Sequence, residues 1–183
     1  MQMKDKPNDL LLLAGKVLTL IGQGILALAG GVVTLAIPAV LVFQDKINAE
    51  IAEEFGANAA SFPLLALAGV LLCVAVLMAI GFVFLGKLRA IISSVGEGDP
   101  FVPENADRLT VMAWLALAGQ VLVIPLSGLA LFFAKWADEV DHEGITIDAG
   151  FDIEGILMVI VLFILARVFK HGAAMRDDLE GTV

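Results

Sequence analysis

The chain has 183 residues, is 60% hydrophobic with a mean hydropathy of +0.95, and carries a net charge of −9. That apolar fraction excludes an ordinary soluble domain, whose composition is about half apolar. The acidic balance excludes the basic surface that direct nucleic-acid binding requires, and the lone Cys73 excludes an intramolecular disulfide.

Four apolar runs follow one another along the chain: Leu10 to Phe43, Phe62 to Leu85, Leu109 to Ala134 and Phe151 to Phe169. Each is as long as the ~17–25 residues a helix needs to cross the hydrocarbon core, where only a helix or a closed barrel satisfies the backbone. The expected fold is an all-α, four-transmembrane-helix bundle forming a single domain over 1–183, with helices near 10–43, 62–95, 104–136 and 151–175. The first run greatly exceeds the ~7–15 apolar residues of a signal-peptide core and contains Gln23 and Pro38, so it reads as a retained helix.

The connections divide the basic residues. Lys4, Lys6 and Lys16 precede or open the first run, Lys87, Arg89 and Arg108 flank the second connection, and Arg167, Lys170 and Arg176 close the chain. Only Lys46 and Lys135 occupy the other two connections. Short-loop Lys and Arg resist translocation, which places both termini in the cytoplasm of a multi-pass protein of the bacterial inner membrane. On that topology the outer side holds 11 acids against 2 bases, the whole of the −9 charge, and the inner side balances 9 against 9.

Within the first run, Gly15, Thr19, Gly22 or Gln23, Ala27, Gly30 or Gly31, Thr34 and Pro38 form a stripe of small or weakly polar residues. Such a stripe lets backbones approach closely, either inside the bundle or at a homo-oligomer seam. Gln23 and Gln120 fall near the middle of the first and third spans, where an unpaired amide is costly, so both are expected to bond across a helix interface. No charged side chain is expected near a midplane, although ion-coupled transport usually places ionisable groups there. Trp114 and Trp136 suit the headgroup level at the two ends of the third span.

Chemistry-bearing motifs are sparse. His142 and His171 lie on opposite sides of the expected membrane, and no His-Glu-x-x-His pair exists. Asp138 to Gly144 is rich in oxygen ligands, but aligning Gly144 with the sixth position of a calcium loop puts Gly150 where a bidentate Glu belongs. It reads as a solvated acidic surface. Ile145 to Ile153 alternates apolar and polar residues and is expected to form a short strand-like segment in the second outer loop. Gly22-Gln23-Gly24 lacks the preceding strand of a dinucleotide site. No catalytic residue, metal ligand or cofactor site is expected.

The second connection is the most distinctive segment. Lys87 to Val95 continues the second helix with apolar residues at helical spacing, Gly96-Glu97-Gly98-Asp99-Pro100 ends it, and Pro103 with Glu104 suits the first turn of the third helix. The run G-D-P-F-V-P-E-N-A-D-R-L at Gly98 to Leu109, with L-A-R-V-F-K-H-G-A-A-M-R-D-D-L-E-G-T-V at Leu165 to Val183, resembles the bacterial membrane family known as domain of unknown function 2975. The resemblance implies a four-helix membrane protein without an established activity, often encoded beside a small helix-turn-helix regulator. Its motif residues here are Asp99, Pro100, Phe101, Glu104, Asn105 and Arg108. The acidic outer loop departs from the pattern.

Two functional classes follow. The first is a non-enzymatic protein that engages a cytoplasmic partner, such as that regulator, through Lys87 to Val95 and the tail from Met175 to Val183. The second is a small transporter or channel subunit with Gln23, Thr34, Gln120 and Ser127 along a polar path. The lipid bilayer is a partner in both.

Overall fold

The computed structural model describes residues 10–55, 63–141 and 152–180. They form five α-helices: α1 (Leu10–Val42), α2 (Gln44–Phe55), α3 (Leu64–Gly96), α4 (Pro103–Asp141) and α5 (Ile153–Glu180). Three of them, α1, α3 and α4 as far as Trp136, are long and apolar enough to cross a membrane. The expected fourth span falls in α5, whose apolar first half gives way to Arg167, Lys170 and Arg176.

α2 departs from expectation, since residues 44–55 form a helix in a connection between two apolar runs. Ile47, Ile51 and Phe55 recur every fourth residue among Ala and Glu, which are strong helix formers, and Asp45 sits in the first turn, where the helix dipole favours an acid. The ladder scarcely breaks at Phe43, whose N–H donates to Ala39 O at 3.0 Å and whose carbonyl accepts from Ile47 at 3.0 Å. The expected strand-like segment lies outside the described residues except for Asp152 and Ile153, the latter opening α5. Of the acidic segment, Asp138 to Asp141 continue α4, and the rest also lies outside the described residues.

The chain divides into two compact units. Unit 1 comprises Met1–Leu26, Ile80–Leu117 and Glu154–Val183; unit 2 comprises Ala27–Ala79 and Ala118–Ile153. In unit 1, Leu109, Met112 and Ala113 of α4 meet Leu162 and Ala166 of α5 in a buried cluster, flanked by Phe84, Leu88 and Ile91 of α3. Leu109/Met112/Ala113 and Leu162/Ala166 follow the three- and four-residue spacing that puts side chains on one helix face. The small-residue stripe of α1 faces α3: a Cβ at Gly22 would stand 2.8 Å from Leu85 Cδ1, so only glycine allows this approach without a shift. Thr19 and Gln23 are buried on the same face.

Unit 2 repeats that close packing in α1 and α3, with Gly30 opposite Met78, and in α3 and α4, with Gly69 opposite Leu129. Both interior prolines, Pro38 of α1 and Pro125 of α4, belong to it. Large apolar side chains remain exposed in both units, among them Leu18, Leu28 and Leu35 of α1, Ile124 of α4 and Leu157 of α5. Their exposure is what a lipid-facing surface requires, since lipid tails are as apolar as the side chains themselves.

Candidate functional site at the junction of α3 and α4

The chain turns from α3 into α4 through hydrogen bonds that use nearly every polar group at hand. α3 ends in a Schellman arrangement: Gly98 N–H donates to Val95 O and Asp99 N–H to Ser94 O, both at 3.1 Å. Gly98 takes a φ of +90°, a conformation that a Cβ disfavours. Pro100 follows, unable to extend the helix. Pro103 then opens α4 with Glu104 in its first turn, and Asn105 N–H donates to Val102 O at 3.0 Å.

Asn105 is the hub of this turn and is fully buried. Its Nδ2 donates to Ser94 Oγ at 2.7 Å and to Pro100 O at 2.9 Å, and its Oδ1 accepts from Arg108 Nη1 at 2.7 Å. Ser94 Oγ in turn donates to Ile91 O at 2.8 Å. One amide thus ties the end of α3, the turn and the start of α4, and spends both its N–H groups on oxygens no carboxylate could serve in the same way.

The turn also reaches α5. Asp99 pairs with Arg176. The Phe101 ring lies 5.4 Å from that of Phe169, tilted by 40°, and presses on Gly172, where a Cβ would meet Phe101 Cδ1 at 2.7 Å. Phe101 nevertheless remains 42% exposed, so it covers α5 without being swallowed by it. Pro100 belongs to the same turn through its carbonyl, whereas Glu104 is exposed and serves the helix end electrostatically.

The two intramembrane amides behave differently. Gln23 is buried in unit 1 and its Nε2 donates to Phe82 O of α3 at 3.1 Å. Gln120, in unit 2, is half-buried and its Nε2 donates to Asp152 Oδ2 at 3.0 Å in an exposed contact. Gln120 stands at the midpoint of the 34-residue stretch Pro103–Trp136. The partner of Gln120 thus lies one residue before α5, a pairing between two segments 32 residues apart. The signal was hidden by chain position: Asp152 reads as loop because α5 begins only at Ile153. Trp114 is largely exposed and meets Phe163 edge to face, with centroids 5.4 Å apart.

Among the described residues, no group of His, Cys, Asp or Glu is arranged to hold a metal ion. No curated protein and no solved structure matches this chain. A family model does match, over residues 37–183, which includes both the turn built around Asn105 and the part of α5 it touches. The chain belongs to the family described as protein of unknown function (DUF2975).

Proposed function

We propose that this is a non-enzymatic, multi-pass protein of the bacterial inner membrane that engages a cytoplasmic protein partner through the surface where the α3–α4 turn meets α5. The reading takes α5 as a fourth crossing and places both termini inside, on the strength of nine basic residues against two. One observation carries the functional part: the two signature blocks, far apart in sequence, are joined by the Asp99–Arg176 pair and by Phe101 on Phe169. Local capping alone would hold the turn through Asn105 and leave the tail of α5 untethered. A tethered tail gives a partner one composite surface instead of two loose ones, and reduces the ordering cost of binding. A small helix-turn-helix regulator fits the expectation that the family resemblance carries.

The test is photocrosslinking in cells from positions 97 and 178, with position 44 as the outer control, followed by mass spectrometry of the adducts. Adducts with one cytoplasmic protein from 97 and 178, the adduct from 97 being lost on deleting Asp177 to Val183 at unchanged membrane abundance, are the expected result. Adducts from position 44 alone, or capture undiminished by the deletion, would refute the surface.

The Gln120–Asp152 contact favours a second reading, a small transporter or channel subunit, because an ionisable group bonded to a polar side chain of a candidate span is the kind of pair that marks an ion path. Asp152→Asn keeps the hydrogen-bonding shape and removes the charge. Loss of a solute flux with intact membrane levels would move the assignment to this class.

A further inference from the structure

A groove of about 1100 Å³ runs along α5 in unit 1, larger than the ~300–1,000 Å³ typical of small-molecule sites. Its walls are of two kinds. Phe163, Ile164 and Val168 supply apolar surface from one end, while Arg167, Lys170 and His171 bring the basic groups to the next turns of the same helix face. Phe101 and Thr110 close the other side, and among the described residues no carboxylate lines it. Arg167 and Lys170 are exposed, and neither belongs to the Asp99–Arg176 pair.

The order of these residues fits one class of ligand. Residues 156–166 are wholly apolar, and with α5 taken as a crossing, as proposed above, the cations that follow them stand where the helix leaves the hydrocarbon, with stems that reach the headgroup level. A basic groove at that level, with apolar walls on its membrane side, matches an amphiphile carrying a negative head and a hydrocarbon tail. A free anion would leave the aromatic and branched walls unused. We propose that this groove is a binding site for an anionic phospholipid, its phosphate held by Arg167 and Lys170 and its acyl chain laid over Phe163, Ile164 and Val168. The site rests on the reading of α5 as a crossing and not on a protein partner, although it shares Phe101 with the surface proposed for one.

The test uses the full chain purified in a neutral detergent, with phosphatidylglycerol and phosphatidylcholine of identical acyl chains as probes and bound lipid counted by native mass spectrometry. Phosphatidylglycerol should be retained over phosphatidylcholine by about 25-fold, taking roughly a factor of five for each of two cations. Arg167→Gln with Lys170→Gln should abolish the preference, and Lys87→Gln with Arg89→Gln, which removes two cations outside the groove, should leave it intact. Arg167→Lys with Lys170→Arg keeps the charge and should keep the preference, which guards against misfolding of the neutral variant. Equal retention of the two lipids by the unaltered protein would overturn the proposal. So would displacement of phosphatidylglycerol by millimolar inorganic phosphate, which would make the groove a free-anion site.

Discussion

Unit 1 and unit 2 draw on nearly the same helices and differ in how they are held. Every residue buried among the described ones lies in unit 1 except Leu64, and so do the buried polar groups Thr19, Gln23, Ser94 and Asn105. Unit 2 has close helix approaches, two interior prolines and an exposed Gln120–Asp152 contact, but little buried side-chain surface. A satisfied polar network combined with a packed apolar cluster specifies one arrangement of its elements. Small-residue contacts between apolar helices hold the elements near one another with far less directional information.

The sharpest way to break the contrast is at Asn105. Asn105→Ala takes the donor from Ser94 Oγ and from the Pro100 carbonyl and the acceptor from the Arg108 guanidinium together, and is expected to cost about 3 kcal/mol, the upper end for a buried polar group left unpaired. Denaturant titration in micelles, with helicity as the readout, measures it. A cost no larger than that of an exposed substitution in unit 2 would mean that unit 1 is not the better-determined half.

Phe101→Ala comes next. A fully buried Phe loses about 3–5 kcal/mol on truncation, but this ring is 42% exposed, so roughly 2 kcal/mol is expected. Gly98→Ala should cost about 1 kcal/mol, because a Cβ is disfavoured at its positive φ although nothing else lies near it. Thermal unfolding of the two variants should therefore rank Phe101→Ala below Gly98→Ala, and both below the unaltered chain. If Phe101→Ala instead keeps full stability while crosslinking at position 97 collapses, the ring is a partner anchor first and a strut second.

How much of this was legible beforehand depends on how local each feature is. The long apolar helices were readable because length and hydrophobicity are properties of a continuous segment, and the Gly98 and Pro103 ends of the turn because each uses residue types with a fixed conformational meaning. α2 was missed for the opposite reason: its charge masked a four-residue apolar spacing that Ile47 and Ile51 carry. Asn105 could be named from the sequence as a motif residue, but not its partners, because Ser94 and Pro100 lie 11 and 5 residues away and bond only once the turn has closed. The meeting of Asp99 with Arg176 and of Gln120 with Asp152 had no local signature, since each joins segments brought together only by packing.

The smallest expected effects come from the two intramembrane amides, which place one similar side chain in each unit. Gln23 is buried and its partner is a backbone carbonyl already engaged in a helix, so Gln23→Leu removes one interhelical bond and adds apolar contact. Such bonds in bilayers average about 0.6 kcal/mol and reach about 1.7 kcal/mol, and the close fit against Gly86, where a Cβ would lie 3.0 Å from Nε2, puts Gln23 toward the upper figure because a branched Leu has to repack there. Gln120 bonds to a side chain in an exposed contact, so Gln120→Leu should change stability by less than about 0.5 kcal/mol. Unfolding both variants in the same micelle gives the ratio directly. If Gln120→Leu proves the costlier, the Asp152 carboxylate depends on that amide, and unit 2 contains a determined polar site after all.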